Sequence, residues 1–238
     1  MGSTRLPGKV MKTLFGKTVL AHVVERVKAC GLIDLVVVAT TTSSMDEAIR
    51  DEAGRLGAGC FRGSELDVLD RYYRAAKEYG ADTVIRITSD CPLMDPELLC
   101  GMVERFNRMR DEGTRVDYLS NVRTRTYPRG LDVEVFTFHA LERAYKEAGK
   151  EYEREHVTPY INTHPEIFSL HEVKSDEDFS GYRWTLDTED DFRLIEEIYK
   201  ALYVEGRIFR TDEALALMKR RPELRELNAH VEQKKLGE

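Results

Sequence analysis

Apolar strand-like segments alternate with amphipathic helical segments along the first half of the chain, and this order constrains the fold most strongly. The segment LIDLVVVATT is nearly continuously apolar, which is typical of a parallel strand covered on both faces. Apolar residues recur at helical spacing before it, in 19–27, and after it, in 65–79. Further strands are predicted at GCF and ADTVIRIT. The alternation predicts an α/β fold with a mainly parallel sheet and helices on both sides.

The rhythm changes after Val116. Two strands are predicted at VDYLS and LDVEVFTF, on either side of the basic loop NVRTRTYPRG. Helices over 139–148 and 154–163, a strand at IFSLHEV and a long helix over 189–203 follow. The 238 residues suit one domain. We therefore predict a single domain over 1–238, with a lobe inserted at about 117–175.

Charge and cysteine content exclude several classes of protein. The formal net charge of -7 argues against a nucleic-acid partner. No apolar run approaches the roughly 20 residues of a membrane span, so no membrane partner is expected. None of the four cysteines forms a CxxC pair, which argues against a zinc ribbon or a thioredoxin-type motif. We expect reduced thiols and a cytoplasmic protein.

The segment GSTRLPGK, Gly2 to Lys9, combines glycines, hydroxyls and cations within eight residues. Glycines let backbone N–H groups approach phosphate closely, and cations neutralise its charge. Arg5 can bind two phosphate oxygens at once, whereas Lys9 acts as a compact point charge. The composition alone fits a solvated tail equally well.

Two acidic motifs follow predicted strands. Asp90, in SDCPLMDP, lies where the strand VIRIT ends, and ligands of open α/β sheets bind outside the carboxyl ends of strands. Asp187, in WTLDTEDD, ends a second apolar stretch. Together the two carboxylates could hold Mg²⁺ against phosphates. The alternative for Asp90 is an Asx turn or a helix cap. Glu189, Asp190 and Asp191 look like charges in the first turn of a helix.

Seven segments, taken in order, resemble the cytidylyltransferase family. The resemblance is closest to the branch of SpsF-like spore coat polysaccharide biosynthesis proteins, which are related to acylneuraminate and 3-deoxy-manno-octulosonate cytidylyltransferases. The segments are GSTRLPGK, VVVATT, FRGSELDVLDRYYRAA, IRITSDCPLMDP, YPRGLDVEVF, REHVTPYI and WTLDTEDD. The resemblance implies a Rossmann-like, glycosyltransferase A-type nucleotide-diphospho-sugar transferase fold.

The resemblance also implies a function. A nucleotidyltransferase of this kind transfers CMP from CTP to an acidic or amino sugar and releases pyrophosphate, for surface or spore-coat polysaccharide, with Mg²⁺ as cofactor. It implies that Arg5 and Lys9 bind the triphosphate and that Gly2 and Ser3 offer backbone donors. It further implies that Ser64 and Arg71 contact the cytosine and ribose and that Asp90 and Asp187 bind the metal. Relatives often pair, so a homodimer is expected.

Contacts to the sugar are open to more than one interpretation. Arg129 is a candidate for a sugar carboxylate, as are Arg154 and His156, which could instead lie at a dimer interface. His156 is more typical of a structural helix residue than of a general base. Asp132 and Glu134 share one face of a predicted strand and could contact sugar hydroxyls. Structural pairing with nearby arginines fits those two acids equally well.

Two alternatives to CMP transfer stay open. Phosphate contacts carry no base identity, so another nucleoside triphosphate fits the same loop. Family members also begin with an apolar strand ending in QAR before the glycine loop, whereas this sequence starts at the loop. We therefore expect a sheet that lacks its first strand, and Met1 to be an internal methionine of a longer protein. Without that strand, the chain could bind a nucleotide with little turnover.

Overall fold

Strands and helices alternate through the chain much as the sequence predicts. The computed structural model describes residues 1–233. Its strands are β1 (Thr13–Leu14), β2 (Lys17–Thr18), β3 (Val37–Thr41), β4 (Gly59–Gly63), β5 (Thr83–Arg86), β6 (Tyr118–Ser120), β7 (Glu134–Thr137) and β8 (Leu170–Glu172). Its α-helices are α1 (Val19–Lys28), α2 (Glu47–Arg55), α3 (Val68–Glu78), α4 (Pro96–Asp111), α5 (Phe138–Glu147), α6 (Glu151–His156), α7 (Pro159–Thr163), α8 (Glu189–Leu202), α9 (Thr211–Arg220) and α10 (Glu223–Glu226).

The strands form two short sheets and one larger sheet. β1 and β2 make an antiparallel hairpin beside the glycine loop, and β3 pairs with β4 in parallel. The larger sheet has the order β5-β7-β6-β8, in which β7 is antiparallel to both neighbours and β6 is parallel to β8. The α/β class is confirmed, with parallel pairing at β3–β4 and β6–β8 and antiparallel pairing around β7.

A cavity of about 720 Å³ separates β3 from β5. Within residues 1–233, each of these strands pairs with another strand along one edge only, so two unpaired edges line the cavity. Apolar side chains of α1 and α3 cover it from the two sides. This is the arrangement expected of a sheet that lacks a central strand.

The segment 117–175 contributes β6, β7 and β8 to the same sheet as β5. Helices α5 and α7 belong to this segment, and they pack with α3 in one core cluster that includes Leu69, Tyr118 and Ile161. The predicted lobe therefore shares its sheet and part of its core with the preceding strands and helices.

One predicted helix is divided in two. The expected helix over 154–163 ends at His156, and α7 begins at Pro159. Val157 has φ 73 and ψ -56, and Thr158 donates its N–H to the His156 carbonyl at 2.9 Å, which makes a tight three-residue turn. Pro159 has no N–H with which to continue the helical pattern, so the helix restarts there.

The expectation of four reduced thiols is wrong for two of them. Cys30, just after α1, and Cys100, within α4, form a disulfide with Cα atoms 5.5 Å apart. Cys60 and Cys91 are free. A sequence separation of 70 residues hides such a pairing from spacing arguments. A search of residues 1–233 finds no helix with the length and apolarity of a membrane span.

Candidate active site

Lys9 joins the two acidic strand-end motifs. Its ammonium donates to the Asp90 carboxylate at 2.6 Å and to the Asp187 carboxylate at 2.8 Å. All three side chains are mostly buried, with 15–20% of their surface exposed. Arg5 pairs with the far oxygen of Asp187 at 3.1 Å. The glycine loop therefore lies against the carboxylates that follow two distant parts of the chain.

The backbone fixes the two acidic motifs side by side. The Leu186 N–H donates to the backbone carbonyl of Asp90 at 2.8 Å. Because Asp187 is the next residue in the chain, this hydrogen bond holds it beside Asp90. Leu186 is fully buried in the core beneath the site, together with Trp184 and apolar residues of α8. The position of both carboxylates is thus set by backbone and core rather than by flexible loops.

Asp191 holds the base of this arrangement. It is fully buried at the third position of α8 and shares a capping box with Thr188. Its carboxylate accepts hydrogen bonds from the Arg183 guanidinium, from the N–H groups of Asp187 and Thr188, and from the Asn228 amide, at 2.9–3.3 Å. The interpretation of Asp191 as a charge in the first turn of a helix is confirmed, and its burial explains the number of donors that its carboxylate has.

Arg183 connects Asp191 to Asp187. Its guanidinium donates to Asp187 at 2.7 Å and to Asp191 at 2.9 Å, with only 10% of the side chain exposed. Asn228, which is 4% exposed, donates to the Arg183 carbonyl at 2.9 Å. The sequence offered one signal for Arg183, a cation four residues before Asp187. It offered none for Asn228, which reaches the site from the C-terminal segment.

The ion pairs decide the protonation states at the centre of the cluster. Burial by itself would raise the pKa of Asp187, but Lys9, Arg183 and Arg5 lower it below its usual range. Burial would lower the pKa of Lys9, but Asp90 and Asp187 raise it above the usual lysine value. Both groups are therefore charged at neutral pH.

The remaining predicted nucleotide contacts lie in the glycine loop, in the loop before α3 and in α3 itself. The Ser3 hydroxyl accepts from the Leu6 N–H at 3.3 Å, within the glycine loop. The Arg71 guanidinium donates to the Ser64 carbonyl at 2.5 Å. A Cβ placed on Gly2 would lie 3.2 Å from a carboxylate oxygen of Glu65, so the glycine loop adjoins the loop of Ser64.

The second basic loop reaches the cluster through backbone contacts. The Arg129 N–H donates to the Tyr182 carbonyl at 2.9 Å, and the Arg129 carbonyl accepts from the Trp184 N–H at 2.6 Å. Gly130 permits this approach, because it has φ 107 and a Cβ there would lie 2.6 Å from the Trp184 carbonyl carbon. Arg125 forms a two-point ion pair with Asp132, at 2.6 and 2.7 Å.

Two predicted sugar contacts are engaged elsewhere. Glu134 is 3% exposed and accepts from Arg86 at 2.5 Å and from the Tyr118 and Thr158 hydroxyls at 2.6 Å, so its prediction as a sugar ligand is contradicted. Its role is the structural pairing that the sequence left as the alternative.

Arg154 is also occupied, because it forms a two-point ion pair with Asp67 and donates to the Tyr145 carbonyl. Its contact with a sugar carboxylate stays a prediction, and such a ligand would have to compete with Asp67. His156 is partly exposed at the end of α6, and the one carboxylate near it in the described chain is that of Glu155, 3.9 Å away. Neither residue contacts the Lys9 cluster through a hydrogen bond.

The carboxylates of Asp90 and Asp187 fit the predicted Mg²⁺. Both converge on one cation, the Lys9 ammonium, and both offer the oxygen ligands that Mg²⁺ prefers. In residues 1–233, no group of three or more His, Cys, Asp and Glu side chains could hold a metal ion.

Several known proteins are similar to this chain in sequence. Residues 1–225 match the family model described as Cytidylyltransferase. The chain is 38% identical to an uncharacterized protein of Methanocaldococcus jannaschii, over 100% of this chain and 94% of that one. It is 33% identical to the spore coat polysaccharide biosynthesis protein SpsF of Bacillus subtilis, over 84% of this chain and 83% of that one.

A solved structure extends the similarity to three dimensions. A cytidylyltransferase from Leptospira borgpetersenii superposes with a TM-score of 0.89 at 34% identity, covering 99% of this chain and 95% of that one. The predicted fold class is thereby confirmed.

Proposed function

The chain belongs to the cytidylyltransferase family, and we propose that it transfers CMP from CTP to an acidic or amino sugar and releases pyrophosphate. The observation that carries the proposal is the Lys9 ammonium held between Asp90 and Asp187. It brings together the glycine loop, which is suited to phosphates, and the two carboxylates suited to a divalent cation. SpsF, the relative from Bacillus subtilis, is named for spore coat polysaccharide biosynthesis, which supports a sugar acceptor.

Each part of the site receives a role in this proposal. Arg5 and Lys9 bind the triphosphate, with the backbone of Gly2 and Ser3 as further donors. Asp90 and Asp187 would hold Mg²⁺, which supplies charge neutralisation at the phosphate oxygens when bound.

Ser64 and Arg71 face the cytosine and ribose in the proposal, which is supported by the contact between the Gly2 and Glu65 loops. Arg129 and Asp132 remain the proposed acceptor contacts. Arg129 lies on the basic loop that packs against 182–184, and Asp132 pairs with Arg125 of the same loop.

The reaction is an in-line displacement. An acceptor hydroxyl oxygen attacks the α-phosphorus of CTP, the bond to the β-phosphate oxygen breaks, and the hydroxyl proton passes to solvent. Arg5 and Lys9 stabilise the charge that develops on the departing pyrophosphate. When the phosphates arrive they take over Lys9 from the carboxylates, which frees Asp90 and Asp187 for the cation. Positioning of the two substrates accounts for most of the rate in such a reaction.

A pyrophosphate-release assay tests the proposal. The chain is incubated with Mg²⁺, each of the four nucleoside triphosphates in turn, and a panel of acidic and amino sugars. Release that requires both CTP and one acceptor supports CMP transfer. Release with UTP, GTP or ATP instead assigns a different base, and CTP binding without any release assigns a nucleotide-binding protein. A homodimer stays a prediction from the resemblance, and a cytoplasmic location stays a prediction from the cysteine content.

A further inference from the structure

A small cavity of about 190 Å³ lies between the segment 180–183 and the C-terminal segment. Three arginines line it, Arg129, Arg183 and Arg225, beside the Asn228 and Gln233 side chains. Drug-sized ligands occupy pockets of roughly 300–1,000 Å³, so this cavity is too small for a nucleotide. Its size suits one carboxylate or phosphate group with the few atoms that carry it.

The charges around the cavity are unbalanced. Arg183 is neutralised by Asp187 and Asp191. Within residues 1–233, neither Arg129 nor Arg225 forms an ion pair or a side-chain hydrogen bond. Burial and the neighbouring Arg125 lower the pKa of Arg129.

The second cation is positioned by packing. The Arg225 guanidinium lies over the Tyr182 ring, 5.6 Å from its centroid. It also rests against Gly181, where an added Cβ would lie 2.9 Å from the guanidinium nitrogen. Arg225 thus approaches the cavity over a glycine, from a C-terminal segment to which the sequence assigned no chemistry.

The cavity adjoins the candidate active site. Arg183 lines the cavity and donates to Asp187 at 2.7 Å, so a single side chain separates the cavity from the cluster of Lys9. An anion bound there would lie next to the carboxylates that we propose hold the cation.

We infer that this cavity is an oxyanion subsite, in which Arg129 and Arg225 bind one carboxylate or phosphate group. Two sources offer that chemistry, the carboxylate of an acidic acceptor sugar and the departing pyrophosphate. The assignment of a source rests on the proposed function, whereas the binding itself does not.

Isothermal titration calorimetry on the full chain, without CTP, tests the subsite. The probes are 3-deoxy-manno-octulosonate, its uncharged methyl ester and inorganic pyrophosphate. Each is titrated into wild type, Arg129→Gln, Arg225→Gln and Gly181→Ala. The matched control is Arg220→Gln, which removes the same charge from an exposed position at the end of α9.

Loss of one charge-assisted contact should weaken binding of one of the two oxyanions by about tenfold or more in both arginine variants. Gly181→Ala should weaken the same probe, since its methyl group displaces the Arg225 guanidinium without removing any charge. Arg220→Gln should bind as wild type, and the methyl ester should not distinguish the variants. The probe that loses affinity identifies the source.

The inference is overturned if Arg225→Gln and Arg220→Gln bind both oxyanions equally, or if wild type binds neither. Pyrophosphate release from CTP, measured on the same preparations, separates this result from the proposed function. If CTP is turned over but Arg225→Gln does not change oxyanion binding, the subsite is rejected and the proposed function is retained. If oxyanion binding depends on Arg225 but CTP is not turned over, the subsite is retained and the proposed function is rejected.

Discussion

The two basic loops of the molecule look alike in sequence and differ in how their charges are balanced. In the glycine loop, both Arg5 and Lys9 are paired with acidic residues, and Lys9 is paired with two. In the loop 121–130, Arg125 is paired with Asp132, whereas Arg129 has no acidic partner in residues 1–233.

This difference separates two ways of preparing a site for anions. The cations of the glycine loop are neutralised by the protein's own carboxylates. An incoming triphosphate must therefore displace these carboxylates from Arg5 and Lys9, and a divalent cation must then neutralise the carboxylates. In the loop 121–130, the Arg129 guanidinium at the cavity is not paired with an acidic residue of 1–233 and is left for an anion from outside. Substitutions in the first loop should therefore affect CTP use, and those at Arg129 should affect the other ligand.

Asp187→Asn should have the largest effect, because it removes the charge that pairs with Lys9, Arg5 and Arg183 at once. Loss of one preorganised electrostatic contact in an active site costs roughly 10²–10³ in rate. We expect a decrease of that size in kcat/KM for CTP, measured by pyrophosphate release. Asp190→Asn is the matched control, since Asp190 pairs with Arg193 and His230 at the surface. Equal losses in the two variants would remove Asp187 from the site.

Lys9→Ala should come next, with a loss of about ten- to a hundredfold in kcat/KM for CTP, as should Arg5→Ala. Each removes one charge-assisted contact to the triphosphate but leaves the carboxylates in place. The control for Lys9 is Lys12→Ala. Lys12 lies three residues after Lys9, is half-buried and pairs with Glu189. Unchanged kinetics in both loop variants would make the segment a tail that happens to pack on Asp187.

How far the sequence reaches can be judged from the same residues. The Val-rich strand β3, the helix α3 and the start of α8 after Asp187 follow from local sequence patterns. The contact of Lys9 with both aspartates joins residues 81 and 178 positions apart, which no local pattern encodes. The resemblance gave their roles without their geometry.

The errors have the same origin. Asp191 looks like a first-turn helix charge in sequence and Glu134 like a candidate sugar contact, and neither pattern shows that both side chains are buried. The Cys30–Cys100 disulfide spans 70 residues. In each case tertiary packing decides whether a polar side chain is solvated or satisfied internally, and spacing alone carries no information about that.

Asn228→Ala should have a smaller effect than either loop variant, a loss of about threefold to tenfold in kcat/KM for CTP. Asn228 contacts neither Lys9 nor the proposed metal ligands Asp90 and Asp187 through a hydrogen bond, but it donates to the Arg183 carbonyl and to the Asp191 carboxylate and so orients both residues. A net hydrogen bond contributes about 1 kcal/mol. As a positioning residue it should change the Mg²⁺ concentration needed for half-maximal rate along with kcat. Asn228→Gln tests whether the amide in that position can restore activity. A drop in thermal stability with normal Mg²⁺ dependence would show a purely structural role.

The smallest effect should be a difference in how pH acts on the two loops, measured as the free energy of unfolding in urea. The folded pKa of Lys9 is raised, so its ion pairs stabilise the fold below the unfolded lysine value of about 10.4 and are lost as pH rises through the folded value. The folded pKa of Asp187 is lowered, so its contribution is present above about 3.9 and is lost as pH falls through the folded value. The stability gap between wild type and Lys9→Ala should therefore be widest between these limits and narrow at both ends.

Arg125 stays protonated throughout, because Asp132 raises its pKa against the effect of burial, so the gap for Arg125→Gln should not narrow at alkaline pH. If the stability gap narrowed equally for both variants at alkaline pH, general alkaline unfolding, and not the titration of Lys9, would explain the change.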